Sequence, residues 1–346
     1  MKTLKLGSLE VSKTSPVIVI AEAAVEHLGS LNVAKRMADE AMSCGVDVIK
    51  YQLHIPESEM LEGRINFWGG SLDSILERNN LSVADHIELI RYCKEIGIQY
   101  LCTPFCPDAV GLLDELGVEF FKTGSGELRN EELFQRIANT NKPVIVSTGM
   151  SIENDIRKTV ELLNALNVDF MMTHCTSIYP SPYYAINLEY IPTLRKKFGI
   201  HVGHSDHTAT IWTALGAVAK GAKVIEKHFT LSKAMKGPDY EVSLEPNEMK
   251  MMIEGIRAIE EANGDGVKKL LKEEVVVRDW AYHSVVTIKS IKKGDIFTRE
   301  NLGVKRPGTG IPAENLNLIL GKTALVAISV NEQVTISDVQ DFSVLL

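Results

Sequence analysis

Short runs of β-branched and aromatic residues alternate with longer stretches whose apolar positions recur three and four apart, and this alternation fills the first three quarters of the chain. The short runs fall at 17–22, 48–53, 99–103, 120–123, 144–147, 170–174, 201–205 and 223–228. Runs of this length, apolar on both faces for most of their course, predict buried parallel strands. Between them, 31–44, 83–96, 152–166, 211–220 and 247–262 carry the one-sided stripe of amphipathic helices. Eight strand-helix units before residue 266 predict an α/β chain folded as a (β/α)8 TIM barrel.

The pattern changes after Asn263-Gly-Asp-Gly266. We divide the chain into a catalytic barrel at 1–266, a charged linker at 267–283 and a small β-rich unit at 284–346, in which short β-type runs at 284–288 and 324–328 are separated by Gly and Pro turns. A unit of that size has a marginal core by itself and is expected to dock on something. The other long insertion, 54–82, follows the second strand and carries Phe67 and Trp68 among Gly63, Gly69 and Gly70. A barrel places such a loop over its mouth, as a lid or an interface segment.

Barrel enzymes carry their chemistry at the carboxyl ends of the strands. Here those ends hold Glu22 with His27 beyond it, Lys50 and Gln52, Thr103, Lys122 with Ser125 and Glu127, Ser147, His174 to Tyr179, Ser205 to His207, and Glu226 to His228. Two lysines with hydroxyls and the turn Gly124-Ser-Gly126 make the inventory of an anion site. Two other readings stay open for the lysines: both extend outward to solvent, or Lys122 forms a Schiff base with a carbonyl substrate. His207 and His228 end neighbouring strands. They are either a hydrogen-bonded or acid–base pair, or ligands of a divalent first-row metal such as Mn²⁺, Co²⁺ or Zn²⁺.

Composition narrows the partners. Against 37 Lys+Arg stand 45 Asp+Glu, a formal charge of −8 with no stretch of about five or six like charges, which argues against nucleic acid and membrane surfaces. No stretch has the length and apolarity of a membrane span, and the first ten residues lack a signal-peptide core, so a cytoplasmic location is expected. Five cysteines without a C-x-x-C fit buried thiols.

Seven strings occur in order: Lys122-Thr-Gly-Ser-Gly-Glu127, Ser147-Thr-Gly-Met150, Cys175-Thr-Ser-Ile-Tyr-Pro180, Gly203-His-Ser-Asp-His-Thr208, Glu226-Lys-His-Phe-Thr230, Gly237-Pro-Asp239 and Lys305-Arg-Pro-Gly308. Together the chain resembles the sialic acid (N-acetylneuraminate) synthase family and its legionaminic and pseudaminic acid relatives, over nearly its whole length. Its last sixty residues resemble that family's antifreeze-like (SAF) domain.

The resemblance implies condensation of phosphoenolpyruvate with N-acetylmannosamine or a related N-acylated aldose, with release of phosphate by C–O cleavage. Alternatives within it are a 2,4-diacetamido-trideoxyhexose, as in legionaminic or pseudaminic acid synthesis, and a 6-phosphorylated sugar. It implies that Lys50, Thr103, Lys122, Ser125, Ser147, Ser177 and Ser205 bind phosphoenolpyruvate, and that His207 and His228 hold Mn²⁺, with Mg²⁺ or Co²⁺ possible. Glu22 then lies near metal and aldehyde, Glu127 handles a proton, and Gln52, Tyr179 and Asp239 line the sugar site. It further implies a domain-swapped homodimer in which Arg306 reaches the partner's sugar; the plain reading of Arg306 is a solvated arginine. The chain departs from the family at Ala24-Val-Glu-His27, where Glu26 stands in place of the usual asparagine. Two readings of another class compete. A metal-dependent hydrolase would use the histidines with Asp206, whereas an ice-binding role is opposed by the charges at Lys289, Lys292, Lys293, Asp295, Arg299 and Glu300.

Overall fold

Eight parallel strands, β1 (Ile18–Ala24), β2 (Val48–Leu53), β3 (Gln99–Pro104), β4 (Phe121–Thr123), β5 (Val144–Ser147), β6 (Phe170–Cys175), β7 (Val202–Asp206) and β8 (Val224–His228), form one sheet in the computed structural model, which describes residues 1–67 and 70–343. The order β3-β2-β1-β8-β7-β6-β5-β4 curls the sheet until β3 and β4 lie side by side, and β1 pairs with β8 in register from Ile18 opposite Val224 to Glu22 opposite His228. This is the expected TIM barrel. The long helices around it include α1 (Leu31–Cys44), α2 (Val83–Ile96), α3 (Pro107–Glu115), α4 (Glu131–Asn139), α5 (Glu153–Ala165), α6 (Tyr190–Phe198), α7 (Trp212–Ala219) and α8 (Pro246–Asn263).

Local chemistry sets the ends of these elements. Ser30 accepts the Val33 N–H to start α1, and Gly45 closes it at φ 87° with its N–H on the Ala41 and Met42 carbonyls. Ser82 and Asp85 form a reciprocal capping box on α2.

Side chains alternate across each strand, and the alternation sorts the core into two clusters. Val19, Ala21, Ile49 and Tyr51 pack outward against the helices. Ile18, Ile20, Val48, Leu101, Phe120, Ile145, Met171 and Val224 share an inner cluster with Leu4, Leu6 and Val11. These last three come from an antiparallel hairpin, Leu4–Leu6 with Leu9–Val11, that the periodicity argument did not anticipate. The hairpin fills the amino-terminal end of the barrel. Two positions further along the same inward faces stand Glu22, Lys50, Thr103, Lys122, Ser147 and Glu226.

The insertion at 54–82 contains a short helix, Pro56–Glu59, a two-residue ladder of Asn66–Phe67 with Gly70–Ser71, and a helix, Leu72–Asn79; Trp68 and Gly69 lie outside the described residues.

The chain divides into compact units Met1–Gly264 and Asp265–Leu346. In the second, residues 267–283, expected as a linker, include the helix α9 (Glu274–Ala281). β9 (Ser284–Thr287) pairs antiparallel with β10 (Leu302–Lys305) over a core that includes Val285, Phe297, Ile319 and Val334. The run at 324–328, expected as a strand, makes only isolated bridges, Ile291 with Ile328 and Ala324 with Val339, because the chain bends within the run at 325–326.

Candidate active site

The inward carboxyl ends of the strands hold a cluster of opposite charges. Lys50 on β2 pairs with Glu22 on β1, donates to the Thr103 hydroxyl at 2.9 Å, and lies 3.8 Å from Glu226 on β8. Lys122 on β4 stands 3.5 Å from the same Glu226 oxygen and donates to the Thr123 carbonyl at 2.9 Å. Ser205 donates to the other Glu226 oxygen at 2.9 Å. Lys50 is 4% exposed and Lys122 1%, so neither extends to solvent. Glu226 binds this group together, although the sequence reading gave it no role. Its signal was available: it points inward two positions before His228, on the strand beside that of Ser205.

Burial and charge act against each other here. Burial alone would raise the Glu226 carboxyl, but Lys122 and Lys50 overcome it and hold it near 2. Burial raises Glu22, with Lys50 offsetting part of the effect. Burial works to lower Lys50, and Glu22 and Glu226 more than reverse it; Lys122 stays lowered by burial, which Glu226 offsets only in part.

Beside Lys122 lies a cradle of hydroxyls. Ser125 and Ser147 meet at 2.9 Å, and Cys175 lies 3.6 Å from Ser125 and 3.9 Å from Ser177. A Cβ on Gly149 would sit 2.2 Å from the Ser177 oxygen and 2.5 Å from that of Ser125, so only glycine lets the two hydroxyls close over this turn. Lysine heads and converging hydroxyls suit a phosphate or carboxylate. Burial alone would raise the Cys175 thiol, but His207, 3.8 Å away, brings it to about 6. Glu127 is raised to about 7 by burial, and one of its buried oxygens makes no hydrogen bond.

His207 and His228 stand with ring centroids 5.3 Å apart. Nδ1 of His207 bonds the Thr176 carbonyl at 2.7 Å and Nε2 meets the Tyr179 hydroxyl at 2.9 Å. The first bond commits Nδ1 as a donor and leaves Nε2 to meet a ligand. Nδ1 of His228 is buried without a hydrogen bond, 3.6 Å from Asp239. That orphaned nitrogen beside an oriented imidazole is a donor set that would suit a divalent ion. Among the described residues no set of three or more His, Cys, Asp or Glu is arranged to hold one.

Asp206, the carboxylate required by the hydrolase reading, faces the other way. It accepts from the Thr208 N–H at 2.8 Å and the Thr213 hydroxyl at 2.7 Å, and lies 3.4 Å from the fully buried Lys227.

Gln52 donates to Glu22 at 3.3 Å and meets His54 at 3.1 Å; His54 in turn pairs with Glu59 at 2.8 Å. This chain carries the site into the 54–82 insertion, and neither His54 nor Glu59 had been singled out. Burial raises Asp239 to about 7, with Glu26 and Glu22 adding to it. Tyr179 and Asp239 border a cavity of about 550 Å³ whose other walls include Leu28, Ile75 and Arg78. Arg306 belongs to the second unit, where it lies over the Trp280 ring and donates to the Ala281 carbonyl at 3.0 Å.

The family model described as the NeuB family matches residues 37–268, and that of the SAF domain matches 282–340. The chain is 40% identical over 320 residues to the N,N'-diacetyllegionaminic acid synthase of Campylobacter jejuni, covering 89% of this chain and 95% of that protein. It is 34% identical over 333 residues to the human N-acetylneuraminate-9-phosphate synthase, covering 92% and 91%. Among solved structures, the N-acetylneuraminic acid (sialic acid) synthetase of Leptospira borgpetersenii, in complex with citrate, superposes with a TM-score of 0.74 at 30% identity over 80% of this chain and 95% of that one.

Proposed function

Because the chain belongs to the NeuB family, with a SAF domain following in the sequence, we propose a specific reaction and acceptor for it. It is a nonulosonic acid synthase, joining phosphoenolpyruvate to an N-acylated aldose and releasing phosphate. The 40% identity to a diacetyllegionaminic acid synthase supports a 2,4-diacetamido-trideoxyhexose as acceptor, with N-acetylmannosamine as the second candidate.

The observation that carries the reading is the pair of lysines enclosed in the barrel with Ser125, Ser147, Ser177 and Ser205 around them, a receptacle for a compact polyanion in a chain of net negative charge. Lys50 and Lys122 bind and orient the phosphoenolpyruvate. His207 and His228 would hold a divalent ion, Mn²⁺ by expectation with Mg²⁺ or Co²⁺ as substitutes, which would supply Lewis-acid polarisation of the open-chain aldehyde. C3 of phosphoenolpyruvate attacks that aldehyde, whose oxygen takes up a proton from solvent to become a hydroxyl, and Glu22 and Glu226 stabilise the positive charge left at C2. Glu127, poised near neutrality, takes a proton from the water that adds at C2. The tetrahedral centre then expels phosphate with its bridging oxygen. Lys122 forms no Schiff base in this scheme.

The test is phosphate release with Mn²⁺ and each sugar in parallel, using phosphoenolpyruvate labelled with ¹⁸O at the bridging position. Label in the phosphate and dependence on one sugar support the reading; label left in the keto acid, or a borohydride-trapped Lys122 adduct, overturns it. No helix of the described residues is long and apolar enough to cross a membrane, and we place the reaction in the cytoplasm. We also propose a domain-swapped homodimer in which Arg306 contacts the partner's sugar. Arg306→Ala then raises the sugar KM and spares that of phosphoenolpyruvate; equal effects on both remove the cross-subunit role.

A further inference from the structure

We propose that Glu26 is a positioning residue that fixes the acceptor pocket, selecting among N-acylated sugars by bracing the 236–242 loop against the barrel. The proposal rests on the synthase reading above and assigns its selectivity. Glu26 lies in the turn after β1, between Ala24 at φ 44° and Leu28 at φ 52°, and is 1% exposed. A buried carboxylate is costly unless it is bonded. One Glu26 oxygen accepts the Asp239 N–H at 2.7 Å, across 213 positions of chain. Both oxygens and the carboxyl carbon lie 2.4 to 2.5 Å from where a Cβ on Gly237 would stand. The carboxylate is thus seated against bare backbone at Gly237 and bonded to backbone at Asp239, which fixes two points of the loop without using its side chains.

Those two points matter because of what the loop bears. The Asp239 side chain lies 3.6 Å from His228, and 236–242 lines the 550 Å³ cavity together with Ile75, Arg78 and Asn79 of the Leu72–Asn79 helix. The segments facing each other there, one from 54–82 and one around 235–239, are those in which no motif identifies the sugar. Glu26 contacts the second of them, at Gly237 and Asp239, and does not itself line the cavity. A longer or shorter side chain at 26 moves that wall by roughly the length of one C–C bond, about 1.5 Å, which is enough to admit or refuse an acylamino group.

The experiment compares Glu26→Ala, Glu26→Gln and Glu26→Asn in the full-length enzyme, measuring kcat and KM for phosphoenolpyruvate, N-acetylmannosamine and a 2,4-diacetamido-trideoxyhexose. Glu26→Ala should raise the KM of the preferred sugar roughly tenfold or more and leave that of phosphoenolpyruvate within about twofold. Glu26→Gln keeps an oxygen for the Asp239 N–H and should recover most of the loss. Glu26→Asn, one methylene shorter, should change the ratio of kcat/KM between the two sugars by roughly tenfold. Should Glu26→Ala fail to fold, Gly237→Ala disturbs the same contact from the loop side and should give the same split. Equal changes for both substrates, or a sugar ratio unmoved in every variant, overturn the proposal. A wild-type enzyme that uses neither of these sugars nor N-acetylmannosamine 6-phosphate removes the synthase reading and this inference with it, whereas an active wild type with insensitive variants removes this inference alone.

Discussion

The two ends of the barrel are built from the same inward-facing strand positions, two residues apart, and they obey opposite rules. At the amino-terminal end Ile18, Ile20, Val48, Phe120 and Val224 pack against Leu4, Leu6 and Val11 of the hairpin, an apolar plug. At the carboxyl end the next inward positions are Glu22, Lys50, Lys122 and Glu226, equally buried but held by charge. The plug is stabilised by area removed from water and tolerates similar shapes. The charge cluster stabilises little in net terms, since desolvation offsets the attraction, yet each member depends on the others. The comparison separates what keeps the barrel closed from what the barrel is for.

The largest effect should come from the charged end. Lys122→Met leaves Glu226 with less counter-charge in a dry site, and we expect kcat/KM for phosphoenolpyruvate to fall by about a thousandfold or more, with stability lowered by roughly 3–5 kcal/mol; steady-state kinetics and urea melts read both. Lys122→Met with near wild-type turnover would break the contrast. At the plug, Leu6→Ala should cost about 2–5 kcal/mol in the same melts and leave both KM values unchanged, because the cavity it opens lies on the far side of the inner cluster.

A subtler split appears with pH. Burial raises Glu127 from 4.5 to about 7, so the folded protein holds that proton more tightly than the unfolded chain. Its contribution to stability is therefore complete below about pH 4.5 and is lost as pH rises through about 7. Glu127→Gln should flatten part of the decline in denaturant midpoint between pH 5 and 8, Asp239 supplying another part, and should remove the ascending limb of the kcat profile near pH 7. A variant that keeps that limb would assign the proton to another group. The smallest effect belongs to the surface beside the plug. Lys2→Ala breaks an ion pair with Asp169 in which both side chains are mostly exposed, and its melting temperature should match wild type within error.

How much of this the sequence disclosed differs between the ends. Strand runs and helical stripes located all eight strands within a residue or two, and β-branched runs such as 144–147 coincide with β5 because a strand buried on both faces has no other use for such a composition. The strand-end list also held Glu22, Lys50, Lys122, Ser125, Ser147, Ser205, His207 and His228, which the fold gathers at one mouth. The hairpin at Leu4–Leu6 and Leu9–Val11 escaped because three-residue strands are too short to show a period. His54 escaped for another reason, and Glu226 stood at its strand end without an assigned role: their importance lies in partners distant in sequence, Lys50, Lys122, Gln52 and Glu59, and no spacing rule connects them. Asp206 was legible as chemistry and misleading as position, since one step along a strand turns a side chain from the inside to the outside.

The ladder between β1 and β8 also has a meaning in time. During synthesis Ile18 to Glu22 leave the ribosome early, and their partners Val224 to His228 follow only when most of the first unit has been made. Until then one edge of β1 is an unpaired template and the plug has no finished ring to fill, so the nascent chain passes through an open, adhesive sheet. Contacts so distant in sequence make closure slow. The seam that brings Glu22 beside His228 is therefore also the last pairing of the ring to become available while the chain is being made.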